Sequence, residues 1–148
     1  MDGLLIREFE LERDYEEVAA LWASSGPGLK VGRSDSREEV AKKLTRDPDL
    51  FLVAEAEGRL IGTVIGGWDG RRGIIYHLAV AESHRRNGVG AKLMGEVESR
   101  LKARGCIRAY LAVVPENQEV LTFYHRLGWA PMPVQFLAKY LDASSGGD

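Results

Sequence analysis

The sequence predicts a single α/β (α+β) domain with a mixed, mostly antiparallel central sheet flanked by about four helices. The stretches "LFLVAEAEGRLIGTVIGGW" and "IIYHLAV" contain three strand-like segments separated by glycine-containing turns, a pattern typical of an antiparallel meander. After them, strand-like and helical patterns alternate, which favours a pair of parallel strands joined by a helical crossover. The domain is expected to span residues 1–141, with residues 142–148 as a frayed tail.

A strand and two helices are predicted before the meander. The stretch "LLIREF" alternates apolar and polar residues, as a half-buried strand does. Asp14 stands three residues before Glu17, a spacing typical of a helix N-cap, and apolar residues then recur at helical intervals as far as "SSGPG". Ser36 and Glu39 form the S-x-x-E capping box of a second helix, which should end before Pro48.

The second half of the chain begins with a longer helix, predicted from Gly88 to about Arg104 with Gly105 as its C-terminal stop. Its apolar stripe consists of Val89, Leu93, Val97 and Leu101. The stretch "IRAYLAVV" is then predicted as a strand, residues 117–127 as a short helix ended by Gly128, and "PVQFLAKYL" as a final strand.

The composition is that of an ordinary globular protein. Hydrophobic residues make up 45%, charged residues 28% and the net charge is -2, so neither a disordered chain nor a strongly basic nucleic-acid binder is expected. The single cysteine, Cys106, excludes an internal disulfide and is expected to be a small buried residue. No basic segment precedes an apolar core at the N-terminus, and no apolar run approaches about 18 residues. A cytoplasmic location without membrane or nucleic-acid partners is therefore expected.

The stretch "HRRNGVGAKLM", residues 84–94, places arginines and glycines where a helix begins. A helix start normally carries a Ser, Thr, Asp or Asn cap, so another group is needed for the first backbone N–H groups. Gly88 and Gly90 allow close approach of a bulky phosphate, and Arg85 and Arg86 add charge-assisted hydrogen bonds. The spacing matches neither G-x-G-x-x-G nor G-x-x-x-x-G-K-[ST]. Taken alone, the remaining R-x-x-G-x-G pattern indicates either an anion site or an ordinary turn.

Four stretches carry a resemblance to a known family: "DLFLVAE", "GTVIGGWDGRRG", "RRNGVG" and "VLTFYHRLGW". The pattern of a hydrophobic strand, then R/Q-x-x-G-x-G/A at a helix start, then N-x-x-x-x-x-F-Y-x-x-x-G-F/Y/W about thirty residues later, is matched at every element. With these motifs the chain resembles the GNAT superfamily of N-acetyltransferases over nearly its full length, in particular the small bacterial YpeA-type acetyltransferases. The resemblance implies N-acetyltransferase activity with acetyl-CoA as the acyl donor.

The resemblance also implies roles for individual residues. The N–H groups of Arg86 through Ala91 would cradle the pyrophosphate, and the main chain of Leu78 and Val80 would pair with the pantetheine arm. A backbone N–H of that strand would polarise the acetyl carbonyl. The implied cofactor-binding residues are Leu78, Ala79, Val80, Arg85, Arg86, Asn87, Gly88, Val89, Gly90, Ala91, Asn117 and Tyr124.

Attack of an amine on a thioester needs a neutral amine, a polarised carbonyl and a stabilised leaving thiol, but no covalent enzyme intermediate. The resemblance places Tyr124 near the thioester sulfur, where its phenol can protonate the departing thiolate. Related N-terminal protein acetyltransferases often carry Glu where this chain has Ala112, which disfavours a ribosomal-protein acceptor. His77, Tyr76 and Glu116 are the candidates for deprotonating the amine. His77 is preferred because an unperturbed histidine titrates near neutrality, although a packed or solvent-facing histidine is the alternative.

The acceptor, a small-molecule or peptide amine, is expected to bind near the connection "SSGPGLKVGRSDS". Trp22, Trp68 and Tyr76 are candidates for lining its pocket, although such aromatic residues are more often core. Basic residues in the connection favour an anionic acceptor, unless the connection is simply a solvated loop. With no further His or Cys at ligand spacing, no metal site is assigned.

Two other functions stay open at this point. A non-catalytic acyl-CoA-binding or regulatory module would keep the cofactor loop without turnover, and the lack of an obvious base slightly favours it. A nucleotide or nucleic-acid role for the arginine-rich loop is disfavoured by the net charge of -2 and by the phosphate-motif spacing. Members of the superfamily often dimerise, so a homodimer is one expected state.

Overall fold

A computed structural model of the chain describes residues 3–142, in which five strands form one sheet. The strands are β1 (Leu4–Glu8), β2 (Phe51–Ala56), β3 (Arg59–Trp68), β4 (Gly73–Val80) and β5 (Ala109–Tyr110). They lie side by side in chain order; the first four pair antiparallel, and β4 and β5 pair in parallel. The predicted mixed sheet, with its meander and its parallel pair, is confirmed.

The sheet is accompanied by four α-helices within the described range. They are α1 (Leu11–Ala23), α2 (Arg37–Arg46), α3 (Val89–Ala103) and α4 (Leu121–Arg126). Short 3-10 turns occupy Gly26–Gly28, Arg33–Asp35, Pro48–Leu50, Glu82–His84 and Pro115–Val120. The longest helix, α3, has 15 residues, and nowhere in residues 3–142 is a helix both long and apolar enough to cross a membrane.

The start of α2 was predicted correctly, whereas the start of α1 was not. The Ser36 side chain caps α2 by accepting the N–H of Glu39 at 3.3 Å. Helix α1 begins three residues before Asp14, so the predicted cap at Asp14 is wrong. The buried carboxylate of Asp14 accepts the backbone N–H of Glu10 and two N–H groups of Arg7. Asp14 therefore joins α1 to β1, a tertiary contact that helical spacing does not encode.

A hydrophobic core lies on each face of the sheet. One core packs against α3, and the other packs against α1 and α2. The predicted apolar stripe of α3 is buried in the first core: Val89, Leu93, Val97 and Leu101. Gly66 of β3 allows α3 to pack closely, because a Cβ at this position would lie 2.7 Å from Cγ2 of Val97. Cys106 is only partly buried against the same core, which is less than the sequence predicted.

After α3, the chain contains less strand than predicted. Strand β5 covers only two residues of "IRAYLAVV", and "PVQFLAKYL" forms no strand, so the predicted final strand is wrong. In that stretch Val134, Phe136 and Leu137 are exposed. Alternating apolar residues do not suffice for a strand, because its backbone groups also need a neighbouring strand. The helix predicted over 117–127 consists of the 3-10 turn at Pro115–Val120 followed by α4.

The C-terminal segment runs back to the connection between α1 and α2. Asp142 forms an ion pair with Arg33 at 2.8 Å, and the Arg33 guanidinium lies over the ring of Tyr140, 4.6 Å from its centroid. Asp142 is the one residue of the predicted frayed tail that is described, and residues 143–148 lie outside the described range.

Candidate functional site

A cleft opens where β4 and β5 separate. Gly73 lies opposite Ala109 and Ile74 opposite Tyr110, and β5 then ends. Beyond Ile74, this edge of β4 faces no other strand among the described residues. The cleft has a volume of about 1940 Å³, and its wall includes Trp68, Tyr110, Ala112, Tyr124, Trp129 and Phe136. Gly73 and Ile74 are the β4 residues that line this cavity, and the unpaired edge of β4 begins directly after them. An extended ligand can pair with such an edge.

A β-bulge in β4 turns two consecutive side chains to the same face of the sheet. Thr63 lies opposite Ala79 and Ile65 opposite Tyr76, so β4 has one residue more than β3 between these pairs. His77, in the bulge, has a positive φ of 53°, which is uncommon for a residue other than glycine. The rings of Tyr76 and His77 are 5.4 Å apart on the face covered by α1 and α2.

The His77 ring is held by a carboxylate from the connection between α1 and α2. Nε2 of His77 lies 2.8 Å from Oδ1 of Asp35, and Asp35 is buried. The edge of the His77 ring contacts the buried Trp22, with the ring centroids 5.0 Å apart. The sequence prediction missed Asp35, which is the third residue of a short 3-10 turn and whose carboxylate reaches back to the backbone N–H of Gly32, as in a capping box.

The loop before α3 lacks the side-chain cap that a helix start normally has. Gly88 occupies the N-cap position with φ 79°, and no side chain bonds the first turn of α3. Arg86 also has a positive φ, of 66°, and Nε of Arg85 donates to the carbonyl of Val80 at 3.1 Å. The open N–H groups and the helix dipole make this a favourable place for an anion.

The two glycines of this loop have different structural reasons. A Cβ on Gly88 would meet no atom within 4 Å, so its positive φ is what favours glycine there. A Cβ on Gly90 would lie 3.2 Å from Cζ of Phe123, so glycine there allows α3 to pack against α4. Close approach of a phosphate, which the sequence predicts as the reason for both glycines, stays a prediction.

Tyr124 projects from α4 into the wall of the cleft. Its ring packs in T-shaped contacts with Phe123 and Trp129, at centroid distances of 5.1 and 6.5 Å. Burial raises the pKa of Tyr124 to about 12, because removal from water disfavours the phenolate. The phenol is therefore protonated throughout the neutral range and can act as a proton donor.

The other two base candidates have surroundings that weaken them as bases. Burial, followed by the negative charges of Asp35 and Asp47, raises the pKa of Tyr76 to about 12. A hydrogen bond from its own backbone N–H, followed by Lys30 at 3.4 Å, holds the pKa of the Glu116 carboxyl below its usual range. Tyr76 is thus protonated at neutral pH, and Glu116 is an exposed, weakly basic carboxylate.

The predicted site residues do not all lie in one place. Tyr124 and Trp68 line the cleft, whereas His77 lies on the opposite face of the sheet and Trp22 is fully buried core. The loop of residues 85–91 lies at the start of α3 and is not part of the cleft wall. Within residues 3–142, no three His, Cys, Asp or Glu side chains are grouped as metal ligands.

Asn117 packs against the connection between α1 and α2. A Cβ on Gly28 would lie 2.3 Å from Nδ2 of Asn117, so the Asn117 side chain packs closely against that backbone. Asn117 also has a non-helical conformation, with φ -124° and ψ 42°. This contact joins the 3-10 turn before α4 to the connection between α1 and α2.

Comparison with known proteins points to one fold. The structure is similar to Ard1 from Thermoplasma volcanium, with 26% identity, coverage of 86% of this chain and 83% of that chain, and a TM-score of 0.75. It is also similar to the PaiA N-acetyltransferase from Thermoplasma acidophilum in complex with coenzyme A, at 20% identity, 89% and 92% coverage and a TM-score of 0.77. Glucosamine-6-phosphate N-acetyltransferase from Arabidopsis thaliana matches at 21% identity, 95% and 100% coverage and a TM-score of 0.68.

The sequence match agrees with the structural likeness and covers most of the chain. Residues 11–129 match the Acetyltransferase (GNAT) family, a range that includes most of the cleft wall, the β4 bulge and the uncapped helix start. Acetyl transfer from acetyl-CoA is general in that family. The chain therefore belongs to the GNAT family of acetyltransferases.

Proposed function

We propose that this protein transfers an acetyl group from acetyl-CoA to the amine of a small molecule or peptide, by direct attack in a ternary complex. The observation that carries the proposal is the open edge of β4, which runs from the cleft towards the uncapped start of α3. An extended acyl donor with a pyrophosphate at one end and a thioester at the other has the chemistry to use both features.

The residues present fit such a donor. The open N–H groups of residues 86–91 would hold the pyrophosphate, and the Arg85 guanidinium would add positive charge beside it. The N–H of Leu78, just after the bulge, would polarise the acetyl carbonyl. Acetyl-CoA supplies an activated thioester, and the remaining chemistry belongs to the protein.

The proton transfers are assigned to His77 and Tyr124, which flank β4 from its two faces. His77 accepts one proton from the attacking amine as the new N–C bond forms. Tyr124 donates one proton to the sulfur as the C–S bond breaks, and its raised pKa, about 12, keeps that proton available. The products are the acetylated amine and free coenzyme A, and exchange with solvent returns both side chains to their starting states.

The test is acetyl-CoA-dependent thiol release across a panel of amines, comprising amino acids, polyamines, aminoglycosides, and peptides with free N-termini or lysines. Release with one class establishes the activity and identifies the acceptor chemistry. The panel includes carboxylate-bearing amines because basic side chains, Arg46 and Arg72, line the cleft. Calorimetric titration with acetyl-CoA is run in parallel.

The parallel titration separates the proposal from its main rival. Binding of acetyl-CoA without thiol release from any amine would contradict catalysis and favour a non-catalytic acyl-CoA-binding module. Absence of binding would contradict the assignment of the loop before α3 as well.

A further inference from the structure

We propose that Asp35 is a positioning residue for His77, holding the imidazole in its Nε2–H tautomer so that Nδ1 is the nitrogen that accepts the amine proton. This inference rests on the function proposed above and extends it to the connection between α1 and α2. It starts from the 2.8 Å contact between Nε2 of His77 and Oδ1 of Asp35.

Asp35 is itself fixed by three further hydrogen bonds. Its Oδ2 accepts the backbone N–H of Gly32 at 3.0 Å, and its own backbone N–H donates to the carbonyl of Gly32 at 3.0 Å. The hydroxyl of Tyr15 donates to the carbonyl of Asp35 at 2.9 Å. The carboxylate therefore has one position, with one oxygen occupied by Gly32 and the other directed at His77.

The chemistry of this contact determines the tautomer. An ionised carboxylate only accepts hydrogen bonds, so the Nε2 that faces Asp35 carries the proton. The neutral ring then has its lone pair on Nδ1. That atom has no hydrogen-bond partner in the described part of the chain, and it is not among the buried polar atoms that lack one, namely Nε1 of Trp22 and Oγ1 of Thr63. Within residues 3–142, Nδ1 is thus the unbonded nitrogen of a ring that keeps some contact with solvent.

The other groups around the ring do not compete for Nδ1. Tyr76 beside it is a protonated phenol, and Trp22 presents its ring edge. A second, small cavity is lined by Asp35, Tyr76 and Lys43. The Lys43 ammonium donates to Asp47 and to the carbonyl of Gly66. Of the remaining charged groups, Glu39 lines that cavity at the start of α2.

The backbone at His77 adds an independent reason to assign a role to the ring. A left-handed conformation in a residue other than glycine is strained and persists where the surroundings enforce it. Here φ is 53° within the bulge, and Asp35 and Trp22 fix the side chain. The strain places a partly exposed imidazole, 16% accessible, beside the open edge of β4.

The variant Asp35→Asn tests the proposal because the contacts dictate how the new amide is oriented. The N–H of Gly32 requires the amide oxygen on its side, so the amide NH₂ faces Nε2 of His77. The ring must then accept at Nε2 and carry its proton on Nδ1. ¹⁵N NMR of the ring nitrogens is expected to report Nε2–H in the wild type and Nδ1–H in the variant.

Steady-state kinetics with the acceptor found in the amine panel give the second readout. The kcat of Asp35→Asn is expected to fall about 10²–10⁴-fold, the usual contribution of a general base, while KM for acetyl-CoA changes little. In a His77→Gln background, Asp35→Asn should add no further loss, because both changes remove the same function. The matched control is Glu38→Gln, which makes a carboxylate-to-amide change at an exposed position in the first turn of α2. It should retain the wild-type tautomer and a kcat within about twofold.

Each of the other possible outcomes would overturn one part of the proposal. Nδ1–H in the wild type would refute the tautomer, and this measurement needs no acceptor. A tautomer change with unaltered kcat would show that Asp35 fixes the ring without serving the reaction. Wild-type enzyme that binds acetyl-CoA but acetylates no amine, with Nε2–H observed, would refute the proposed function and the proton-accepting role of His77 with it.

Discussion

At the scale of single residues, burial decides which side chains can donate and which can accept a proton. Tyr124 and Tyr76 are both phenols whose pKa is raised to about 12, and for both burial is the largest cause. Neither can act as a base near pH 7, but a protonated phenol can protonate a leaving thiolate. Tyr124 lines the cleft and Tyr76 lines the small cavity beside Asp35, so Tyr124 is the phenol that we propose for that role.

Tyr124→Phe is expected to lower kcat about 10²-fold or more and to leave acetyl-CoA binding almost unchanged, because only the proton donor is removed. Steady-state thiol release and calorimetric binding measure the two quantities. The control is Arg126→Gln, which changes an exposed residue of the same helix. Equal kcat in Tyr124→Phe and wild type would show that the thiolate leaves without this phenol.

At the level of residues, the sequence can single out a side chain where a local motif carries the signal. Tyr124 follows from the F-Y-x-x-x-G-W pattern, and the structure places it in the cleft wall. Asp35 lies 42 residues before His77 in the chain, and their contact depends on how α1, α2 and the β4 bulge pack together. No spacing rule encodes such a contact, so the prediction found the histidine but missed its partner.

At the scale of elements, the start of α3 depends on the conformation of Gly88. A valine at φ 79° would be strained, so Gly88→Val is expected to reshape the loop and withdraw its N–H groups from a common ligand. Calorimetric affinity for acetyl-CoA should fall at least about tenfold. Gly95→Ala is the matched control, since Gly95 lies in the same helix with open space at its Cβ position. Unchanged affinity in Gly88→Val would remove the loop from its proposed role.

The packing of α3 on β3 gives a stability prediction. A methyl group at Gly66 would lie 2.7 Å from Cγ2 of Val97, so Gly66→Ala should lower the free energy of unfolding by about 1–3 kcal/mol through overpacking. Gly95→Ala should instead raise it by up to about 1 kcal/mol, because alanine favours a helix interior. Urea unfolding monitored by circular dichroism measures both. A stabilised Gly66→Ala would show that α3 can move away from the sheet at little cost.

Elements were predictable where the signal was local. Ser36 caps α2 through a backbone N–H three residues away, and the stripe of α3 follows from helical periodicity. The cap predicted at Asp14 and the strand predicted for "PVQFLAKYL" failed because each outcome depends on a distant partner. The side chain of Asp14 bonds to Arg7 of β1 instead of capping the helix. The C-terminal stretch pairs with no strand in the described range.

At the scale of the whole molecule, two buried carboxylates tie the elements together. Asp14 of α1 binds Arg7 of β1, which also binds Glu55 of β2. Asp47, after α2, binds Lys43 at 3.0 Å and Arg104, beyond the end of α3, at 2.8 Å. Removing a charge from water is costly. Each of these buried carboxylates therefore stabilises the fold only while its cationic partners are present.

Asp47 makes this dependence measurable as a function of pH. Burial alone would raise the pKa of the Asp47 carboxyl, but hydrogen bonds and the charges of Lys43 and Arg104 outweigh it and hold that pKa below its usual range. A group whose pKa is lower in the folded state stabilises the fold above its unfolded value, near 3.9, and loses that contribution as pH falls through the folded value.

Asp47→Asn should therefore lower the free energy of unfolding by about 1–3 kcal/mol at pH 7, and the difference from wild type should shrink below about pH 4 as the wild-type carboxylate is protonated. Urea unfolding in steps from pH 7 to about pH 3 measures it. Glu16→Gln, which changes an exposed carboxylate on α1, should track the wild type throughout. A difference for Asp47→Asn that stays constant over this range would mean that packing around residue 47, rather than its charge, holds the ends of α2 and α3 together.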